Sequence, residues 1–168
     1  MRRIAIIGSG QAGLVNAHGL LKAGYEVDLY SDRTGAQWLN ESKPTGTAVR
    51  FGRSLNYERE LGLDFWQDKA PAISGVNFVM CMQPGTPFLV LNGRLEIPAV
   101  AVDLRLQSSR WLDEFEKRGG KLFIEKIDIA RLDEIAGEHD LTIVAAGKGA
   151  LSDLFPVDAQ RSGYTKPQ

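Results

Sequence analysis

The sequence has 168 residues, of which 43% are hydrophobic and 24% are charged. These values are typical of a globular protein of about one domain, and they exclude a disordered or fibrous chain. The 20 Lys and Arg residues nearly balance the 21 Asp and Glu residues. No run of like charges predicts binding to nucleic acid or to an acidic membrane.

Cellular location is indicated by two features of the sequence. Cys81 is the single cysteine, so an intramolecular disulfide is excluded and a reducing compartment is favoured. We expect its thiol to be buried among apolar side chains. The apolar run at residues 4–7 is too short for a signal peptide, and no run approaches the roughly 18 residues of a membrane helix. We therefore expect a cytoplasmic protein.

Residues 3–30 predict a strand, a helix and a second strand. Residues 3–7 favour a strand, since all but Arg3 are apolar, and helical spacing then begins at Leu14 and stops at Gly24. Residues 25–30 are again strand-like. Because the connections are short, the two strands should be parallel, with the helix as a right-handed crossover.

The turn between that strand and helix has the glycine spacing of a dinucleotide-binding loop: Gly8, Ser9, Gly10, Gln11, Ala12 and Gly13. The first glycine permits the tight turn, the second lets a pyrophosphate approach, and the third allows close packing of helix on strand. The helix start offers free N–H groups to the phosphates. An ordinary glycine-rich turn is the alternative, but the flanking strand and helix favour a dinucleotide site.

The second strand ends at Ser31, where dinucleotide-binding proteins usually carry an acidic residue that binds the ribose. Asp32 and Arg33 follow. A small residue beside an arginine is also found at NADP 2′-phosphate sites, but the carboxylate of Asp32 would repel that phosphate. We expect Ser31, Asp32 and Arg33 to contact the adenosine side of the cofactor; the alternative is that they only begin the next loop.

The segment from about residue 34 to residue 98 lacks helical and parallel-strand signals. Turn residues at Gly75, Pro84-Gly85 and Asn92-Gly93 bracket three strand-like segments, which are residues 76–82, 88–91 and 94–97. An Asn-Gly pair suits the positive φ angles of a tight hairpin turn. We therefore predict an antiparallel insertion with a hairpin at Asn92-Gly93.

Helical spacing returns between Leu104 and Phe115, with Asp103 as the N-cap and Gly119-Gly120 as the stop. After it we predict a strand at residues 121–124, a short helix at residues 132–136 and a buried parallel strand at residues 141–146.

The last of these strands leads into Ala146 and Gly147. Such an ending beside the first strand would bring bare backbone close to a cofactor. Many ordinary α/β proteins also end strands in glycine, so this signal is weak alone. Together with the glycine loop it favours FAD over NAD.

Other chemistries lack the residues they need. His18 and His139 are the only histidines, and with Cys81 they show no metal-site spacing; we place His18 on a helix surface. Ser9 and Ser152 have no His and acidic partners, and the Gly-x-Ser-x-Gly pattern of a nucleophile elbow is absent. The tryptophans are read as core or interface residues: Trp38, Trp66 and Trp111.

Several segments resemble the oxygenase component of two-component styrene and indole monooxygenases. They are residues 4–14, 27–33, 101–105, 118–121 and 140–148. In that family, too, the second strand ends in a small hydroxyl residue followed by Asp-Arg. The resemblance runs along the whole chain and makes Ser31 a family feature.

The resemblance implies an α/β, Rossmann-like FAD-binding fold with a parallel sheet and an inserted antiparallel β region. It implies that reduced FAD arrives from a separate NADH-dependent flavin reductase. A flavin C4a-hydroperoxide would then convert a small aromatic alkene such as styrene or indole to an epoxide, with the cofactor supplying the chemistry and no side chain required as a catalyst.

Site residues follow from matching positions. The resemblance places Gly8, Gly10 and Gly13 at the pyrophosphate, residues 31–33 at the adenosine and Ala146-Gly147 at the adenine edge. It places Arg105 near the flavin phosphate or ribityl chain, although a solvated helix arginine is an equal alternative. The flavin or substrate side would be lined by Thr45, Thr47 and Arg50.

Family members continue for roughly as many residues again. We therefore interpret residues 1–168 as one FAD-binding domain, with Rossmann-like parts at 1–33 and 100–150 and inserted β structure at 45–98. The chain alone is expected to be inactive and to self-associate into a homo-oligomer through uncovered apolar surface. The alternatives are an NADP-dependent reductase or dehydrogenase domain and a truncated, non-catalytic flavin-binding module.

Overall fold

A computed structural model describes residues 1–44, 47–147, 151, 154, 155, 158 and 160–163. The chain divides into two compact units, of which the first contains Met1–Thr34 and Phe115–Gln168 and the second contains Gly35–Glu114. In chain order the elements are β1 (Arg3–Ile7), α1 (Gln11–Lys22), β2 (Glu26–Ser31), α2 (Gly35–Asn40), β3 (Thr47–Arg50), α3 (Gly52–Glu60), β4 (Ala72–Gln83), β5 (Thr86–Asp103), α4 (Leu104–Lys117), β6 (Lys121–Ile124), α5 (Ile129–Glu138) and β7 (Leu141–Val144).

The first unit contains a parallel sheet with strand order β6-β2-β1-β7. This confirms the predicted strand-helix-strand start, in which α1 connects β1 to β2. Helix α1 ends where the sequence indicates, because Gly24 has a φ of +85° and the backbone N–H of Tyr25 donates to the carbonyl of Leu20 at 3.1 Å.

One core cluster of the first unit consists mainly of apolar side chains of β1, β2 and α5. Its fully or nearly buried members are Ala5, Ile7, Tyr30, Ile127, Leu132, Ile135 and Leu151. Helix α5 is longer than the predicted residues 132–136. Asp128 explains the earlier start, since its carboxylate accepts the N–H of Arg131 at 2.8 Å and caps the helix.

Strand β7 is parallel to β1, as predicted, but it is neither as long nor as buried as predicted. It ends at Val144, and its terminal residues Leu141 and Val144 are 50% and 43% exposed. The reason is its place at the edge of the sheet, where β1 is its one partner among the described strands.

His18 is buried, and the prediction of a surface position on α1 is wrong. It is 1% exposed and packs edge to face on Phe115, with ring centroids 5.9 Å apart. His18 follows Leu14 by four residues, so both side chains lie on the buried face of the helix.

The second unit contains an antiparallel sheet with strand order β3-β5-β4, which confirms the predicted antiparallel insertion. Its hairpin turn is not at Asn92-Gly93. Both residues lie inside β5, and the turn instead falls at Pro84-Gly85, where Gly85 has a φ of +78°. Neither Asn92 nor Gly93 has the positive φ that a type I′ turn requires.

Gly75 allows a close approach between β4 and β5. A Cβ atom at Gly75 would lie 2.7 Å from the carbonyl oxygen of Gly93, and the strand register shifts between Ile73 and Gly75. Gly75, which was read as a turn residue, thus lies at a β-bulge within a long hairpin.

Two helices of the second unit, α2 and α3, were not predicted from the sequence. Helix α2 has only six residues and α3 is mostly polar, so neither segment carries an apolar stripe long enough to predict a helix. Leu55 of α3 nevertheless anchors a small core with Val100 and Val102, against which Trp66 and Ala70 pack. Trp111 is fully buried, as expected of a core residue, and its indole N–H donates to the carbonyl of Leu63 at 3.1 Å.

The outer part of the β4–β5 hairpin is exposed on both faces. Phe78 and Phe88, for example, are 51% and 56% exposed. Cys81 is also exposed, which corrects the prediction of a buried thiol. The apolar composition of the strand misled that prediction, because burial depends on a packed partner and this part of the strand has none among the described residues.

No helix in the described part of the chain is long and apolar enough to cross a membrane. Over the same residues, no group of three or more His, Cys, Asp or Glu side chains could hold a metal ion.

Candidate functional site

The glycine loop lies at the carboxyl end of β1, on the side of the parallel sheet where its strands end. This side is called the carboxyl edge of the sheet. Gly8 directly follows the strand, has a φ of +114°, and donates its N–H to the carbonyl of Tyr30 at 2.9 Å. A Cβ atom at Gly8 would lie 2.5 Å from the carbonyl oxygen of Ala145. The chain's own packing therefore requires glycine at this position.

Gly13 is required for a similar reason. A Cβ atom there would lie 1.8 Å from the carbonyl oxygen of Gly8, so any side chain would force the first turn of α1 away from the loop. This contact is the close helix-to-strand packing that the third glycine of a dinucleotide loop provides.

Gly10 differs from both of these glycines. It is the N-cap of α1, with φ −75° and ψ −178°, a conformation that any residue adopts. A Cβ atom there would meet no atom within 4 Å. Nothing in the described chain demands glycine at Gly10, and the space in front of the helix start is open.

The start of α1 is well suited to an anion. Gly10 has no side chain to cap the helix, and the first turn holds no acidic residue. Leu14 is the first residue whose N–H bonds back within the helix, to the carbonyl of Gly10 at 3.0 Å. The N–H groups of Gln11, Ala12 and Gly13 therefore precede the helical ladder and carry the positive end of its dipole.

Ser9 and Ser31 link the glycine loop to the end of β2. Their hydroxyl oxygens lie 2.6 Å apart, and both residues are buried, at 3% and 0% exposed. The hydroxyl of Ser31 also donates to the carbonyl of Arg33 at 2.5 Å. The two serines thus fix the turn that presents Asp32.

Asp32 and Arg33 form an ion pair at the same edge of the sheet. Arg33 Nη2 lies 2.5 Å and Nε 2.9 Å from the carboxylate, and the Asp32 side chain is 45% exposed. The hydrogen bond from Arg33 lowers the pKa of the Asp32 carboxyl. Asp32 is therefore an accessible anionic acceptor at neutral pH, and its partner Arg33 is already engaged.

Ala146 and Gly147 follow β7 at this edge. The N–H of Ala145 donates to the carbonyl of Ile7 at 2.7 Å, which holds the end of β7 beside the glycine loop. Gly147 has a φ of +64°, and a Cβ atom there would meet nothing within 4 Å. The structure thus brings the predicted loop, residues 31–33 and Ala146-Gly147 to one edge of one sheet.

Arg105 belongs to the second unit and is paired there. Its guanidinium binds the carboxylate of Asp103 through Nη2 at 2.6 Å and Nε at 3.0 Å, and the Arg105 side chain is 31% exposed. The hydrogen bond from Arg105 lowers the pKa of Asp103. Asp103 also accepts the backbone N–H of Arg105 at 2.8 Å, which agrees with its predicted role as the cap of α4.

Arg50 is buried in the second unit, at 3% exposed, and its guanidinium contacts Glu58 and Gln107. Arg50 Nε lies 2.9 Å from Glu58 Oε1. Burial raises the pKa of Glu58 from 4.5 to about 7, although the charge of Arg50 opposes that rise.

Thr45 lies outside the described residues. Thr47 begins β3, and its backbone pairs with that of Asp103. The structure describes the backbone of Thr47 and not its side chain.

One polar cluster was missed by the sequence reasoning. Asp28 is fully buried in the middle of β2 and accepts hydrogen bonds from Arg3, at 2.8 and 2.5 Å, and from His139 Nε2, at 3.1 Å. The other ring nitrogen of His139 lies 2.7 Å from the carbonyl of Ile135. An acidic residue inside an apolar strand was the signal that could have revealed it.

Comparison with proteins of known function places these features in context. No protein-family model matches the chain. It is 28% identical over 172 residues to styrene monooxygenase StyA of Pseudomonas fluorescens, and 29% identical over 174 residues to StyA of a further Pseudomonas species. Each match covers 99% of this chain and 39% of the relative, so the chain spans about two fifths of the length of the curated relatives that it matches.

Solved structures share the fold. The flavin-dependent halogenase CmlS matches 77% of this chain and 24% of its own, at a TM-score of 0.60 and 20% identity. The flavin-dependent brominase Bmp2 matches 73% of this chain and 29% of its own, at a TM-score of 0.58 and 18% identity. A 2-methyl-3-hydroxypyridine-5-carboxylic acid oxygenase matches 73% of this chain and 31% of its own, at a TM-score of 0.55 and 14% identity. These findings confirm the resemblance to styrene monooxygenases and the predicted fold class.

Proposed function

We propose that this chain is the FAD-binding portion of a flavin-dependent monooxygenase. The observation that carries the proposal is the contrast within the glycine loop. Gly8 and Gly13 are required by the chain's own packing, whereas a side chain at Gly10 would enter only open space before the start of α1. A glycine that the fold does not need is explained by a ligand that approaches the backbone there.

The pyrophosphate of FAD is the part of the cofactor that suits this space. The N–H groups of Gln11, Ala12 and Gly13 would donate to its oxygens, and the positive end of the α1 dipole would favour its negative charge. Gly8 and Gly13 keep the loop close enough to β1 and β7 for those donors to converge.

The adenosine end is assigned to the turn after β2. The Asp32 carboxylate would accept hydrogen bonds from the ribose hydroxyls, while Ser9 and Ser31 hold the turn in place through their buried hydroxyl pair. Because Arg33 is paired with Asp32, a 2′-phosphate would meet a carboxylate and an occupied arginine. This arrangement favours FAD over NADP. Ala146 and Gly147 would present bare backbone to the adenine.

Residues of the second unit are assigned on the family resemblance. We propose that Arg105 contacts the phosphate or ribityl chain of the flavin, and that Thr45 and Thr47 line the flavin or substrate side. Arg50 is buried against Glu58 and Gln107. Its proposed part is to fix the end of β3 and so to position Thr47, the first residue of that strand.

The activity proposed for the complete protein is epoxidation of a small aromatic alkene, such as styrene or indole. Reduced FAD, when bound, supplies the chemistry that activates dioxygen and transfers one oxygen atom. The electrons would come from a separate NADH-dependent flavin reductase. The similarity to StyA along 99% of this chain supports this assignment.

Isothermal titration of the purified chain with FAD and, separately, with NADPH tests the cofactor. We expect FAD to bind and NADPH to bind at least about tenfold more weakly, a difference of about 1.4 kcal/mol. Tight binding of NADPH without binding of FAD would refute the proposal in favour of a reductase or dehydrogenase domain.

A further inference from the structure

A groove in the second unit has the composition of a small-molecule site that is separate from the glycine loop. Its volume is about 260 Å³. It lies between α2, α4 and the segment that follows α3, and its lining consists of Leu39, Phe65, Trp66, Lys69, Leu106, Ser109, Arg110 and Asp113. None of these residues belongs to the proposed FAD contacts.

The groove is shaped by a close approach of two helices. A Cβ atom at Gly35, the first residue of α2, would lie 3.3 Å from Ser109 Oγ and 3.4 Å from Asp113 Oδ1 of α4. Glycine at this position lets α2 pack on that face of α4. Leu39, one turn further along α2, and Leu106 of α4 then form apolar walls that are 41% and 47% exposed.

Aromatic rings add a surface on which a planar ligand can rest. Phe65 and Trp66 pack edge to face, with ring centroids 5.8 Å apart and planes at 89°. Trp66 also packs against the core formed by Leu55, Val100 and Val102, so its position is fixed by the fold. Rigid aromatic walls of this kind favour a flat, apolar ring.

In the described part of the chain, two cations of the groove have no carboxylate partner. The guanidinium of Arg110 lies over the ring of Phe65, with Cζ 4.6 Å from the ring centroid. Within the described ranges neither Arg110 nor Lys69 forms an ion pair, although the unit holds several arginine-carboxylate pairs elsewhere. Stacking on Phe65 orients the planar face of Arg110 and leaves its N–H edge available to a planar anion.

The charges select among anions. Lys69 and Arg110 together supply two positive charges, and Asp113 supplies one negative charge, so the lining carries a net charge of +1. A ligand with a single negative charge balances this lining. A phosphate dianion would be repelled by Asp113 and would make no use of the aromatic surface.

From these observations we propose that the groove binds a monocyclic aromatic carboxylate. The carboxylate pairs with the N–H edge of Arg110 and with the ammonium group of Lys69. The ring lies against Trp66, Leu39 and Leu106. Its lining shares no residue with the proposed FAD contacts, and it recognises a charged ring rather than the neutral alkene proposed as substrate.

The test uses the 168-residue chain, labelled with ¹⁵N, and benzoate as the probe. Binding is followed by the indole N–H resonance of Trp66, which a Trp66→Phe variant identifies. We expect a saturable shift of that resonance with benzoate. Benzyl alcohol, which keeps the ring and lacks the charge, should bind at least about tenfold more weakly, and inorganic phosphate should leave the resonance unmoved.

Two variants and a matched control separate a built site from general charge attraction. Arg110→Gln should weaken benzoate binding about tenfold and Lys69→Gln about threefold, because each removes one charged hydrogen-bond donor. Arg53→Gln removes the same charge from an exposed arginine of α3 outside the groove and should change the affinity less than twofold.

Three outcomes would overturn the proposal. They are the absence of a saturable benzoate shift in the folded chain, equal weakening by Arg53→Gln and Arg110→Gln, and phosphate binding as tight as that of benzoate. Lys69 is exposed, so its variant preserves the test if Arg110→Gln fails to fold. The FAD titration of the unmodified chain is independent of all three.

Discussion

The carboxyl ends of the parallel strands and the β4–β5 hairpin differ in how closely their residues are packed. After β1, a Cβ atom at Gly8 would lie 2.5 Å from the carbonyl oxygen of Ala145, and one at Gly13 would lie 1.8 Å from the carbonyl oxygen of Gly8. In the hairpin, two long strands carry apolar side chains that are exposed on both faces. Gly8 and Gly13 therefore tolerate no side chain, whereas the hairpin is open and should tolerate substitution.

The largest expected effect is that of Gly13→Ala at the sheet edge. The new methyl group would lie 1.8 Å from the carbonyl oxygen of Gly8, which is backbone and cannot rotate away. We expect a loss of about 4 kcal/mol in the free energy of unfolding. Chemical denaturation followed by circular dichroism measures it. A loss below about 1 kcal/mol would show that the loop is looser than described.

The next effect concerns the buried pair of Arg50 and Glu58. The pKa of Glu58 is raised to about 7, so the folded state holds this proton more tightly than the unfolded state does. The resulting stabilisation is complete below pH 4.5 and is lost as the pH rises to about 7, by up to about 3 kcal/mol.

The Glu58→Gln variant should lack this fall in stability between the two pH values. Denaturation of both proteins across the range compares them, with Glu60→Gln, an exposed neighbour on α3, as the control. Parallel pH profiles for Glu58→Gln and the unmodified protein would contradict the assignment.

A smaller loss is expected for Asp28→Ala in the centre of the parallel sheet. The change removes the shared acceptor of Arg3 and His139, and His139 has a fully buried side chain. Arg3 is 38% exposed and can return to water, so we expect a loss of about 2 kcal/mol. Thermal unfolding of Asp28→Ala and of Asp133→Ala, which alters an exposed aspartate of α5, makes the comparison. Equal losses would contradict a special role for Asp28.

The smallest effect is expected in the hairpin. Phe78 is 51% exposed, and Phe78→Ser removes little buried area, so stability should change by less than about 0.5 kcal/mol. The same substitution should reduce any self-association through this surface. Denaturation and analytical ultracentrifugation measure the two quantities. A large loss of stability would mean that Phe78 is buried by a partner.

The same contrast explains what the sequence could and could not predict. The start of the chain was predictable because the apolar run at residues 4–7, the glycine spacing and the stop at Gly24 all indicate the same local structure. The ends of α4 were predictable for a similar reason, with Asp103 as the cap and Gly119 at a φ of +87°.

The hairpin could not be predicted in detail because its two signals compete. Pro84-Gly85 and Asn92-Gly93 both have turn composition, and only the pairing of β4 with β5 over their full length decides between them. Burial was mispredicted at Cys81 and at β7 for a related reason. An apolar strand is buried only where another element covers it, and local composition does not contain that information.

The candidate site was predictable in its residue types and less so in their individual roles. Spacing identified Gly8, Gly10 and Gly13 as a group, but only the geometry separates Gly10 from the other two. Likewise, sequence placed Ser31 at the ribose, whereas its buried hydroxyl bonds to Ser9 and Arg33 in the structure. Because the Ser31 hydroxyl is buried and already bonded, the Asp32 carboxylate is the accessible hydrogen-bond acceptor for the ribose.

The central claim is that the open space at Gly10 belongs to the pyrophosphate of FAD. The direct measurement is a calorimetric titration of the Gly10→Val variant with FAD beside the unmodified chain, with circular dichroism to establish that both are folded. The side chain would enter free space, so the fold should persist while FAD affinity falls by about a hundredfold or more. An unchanged affinity in the folded variant would contradict the claim and would reduce the glycine loop to a turn.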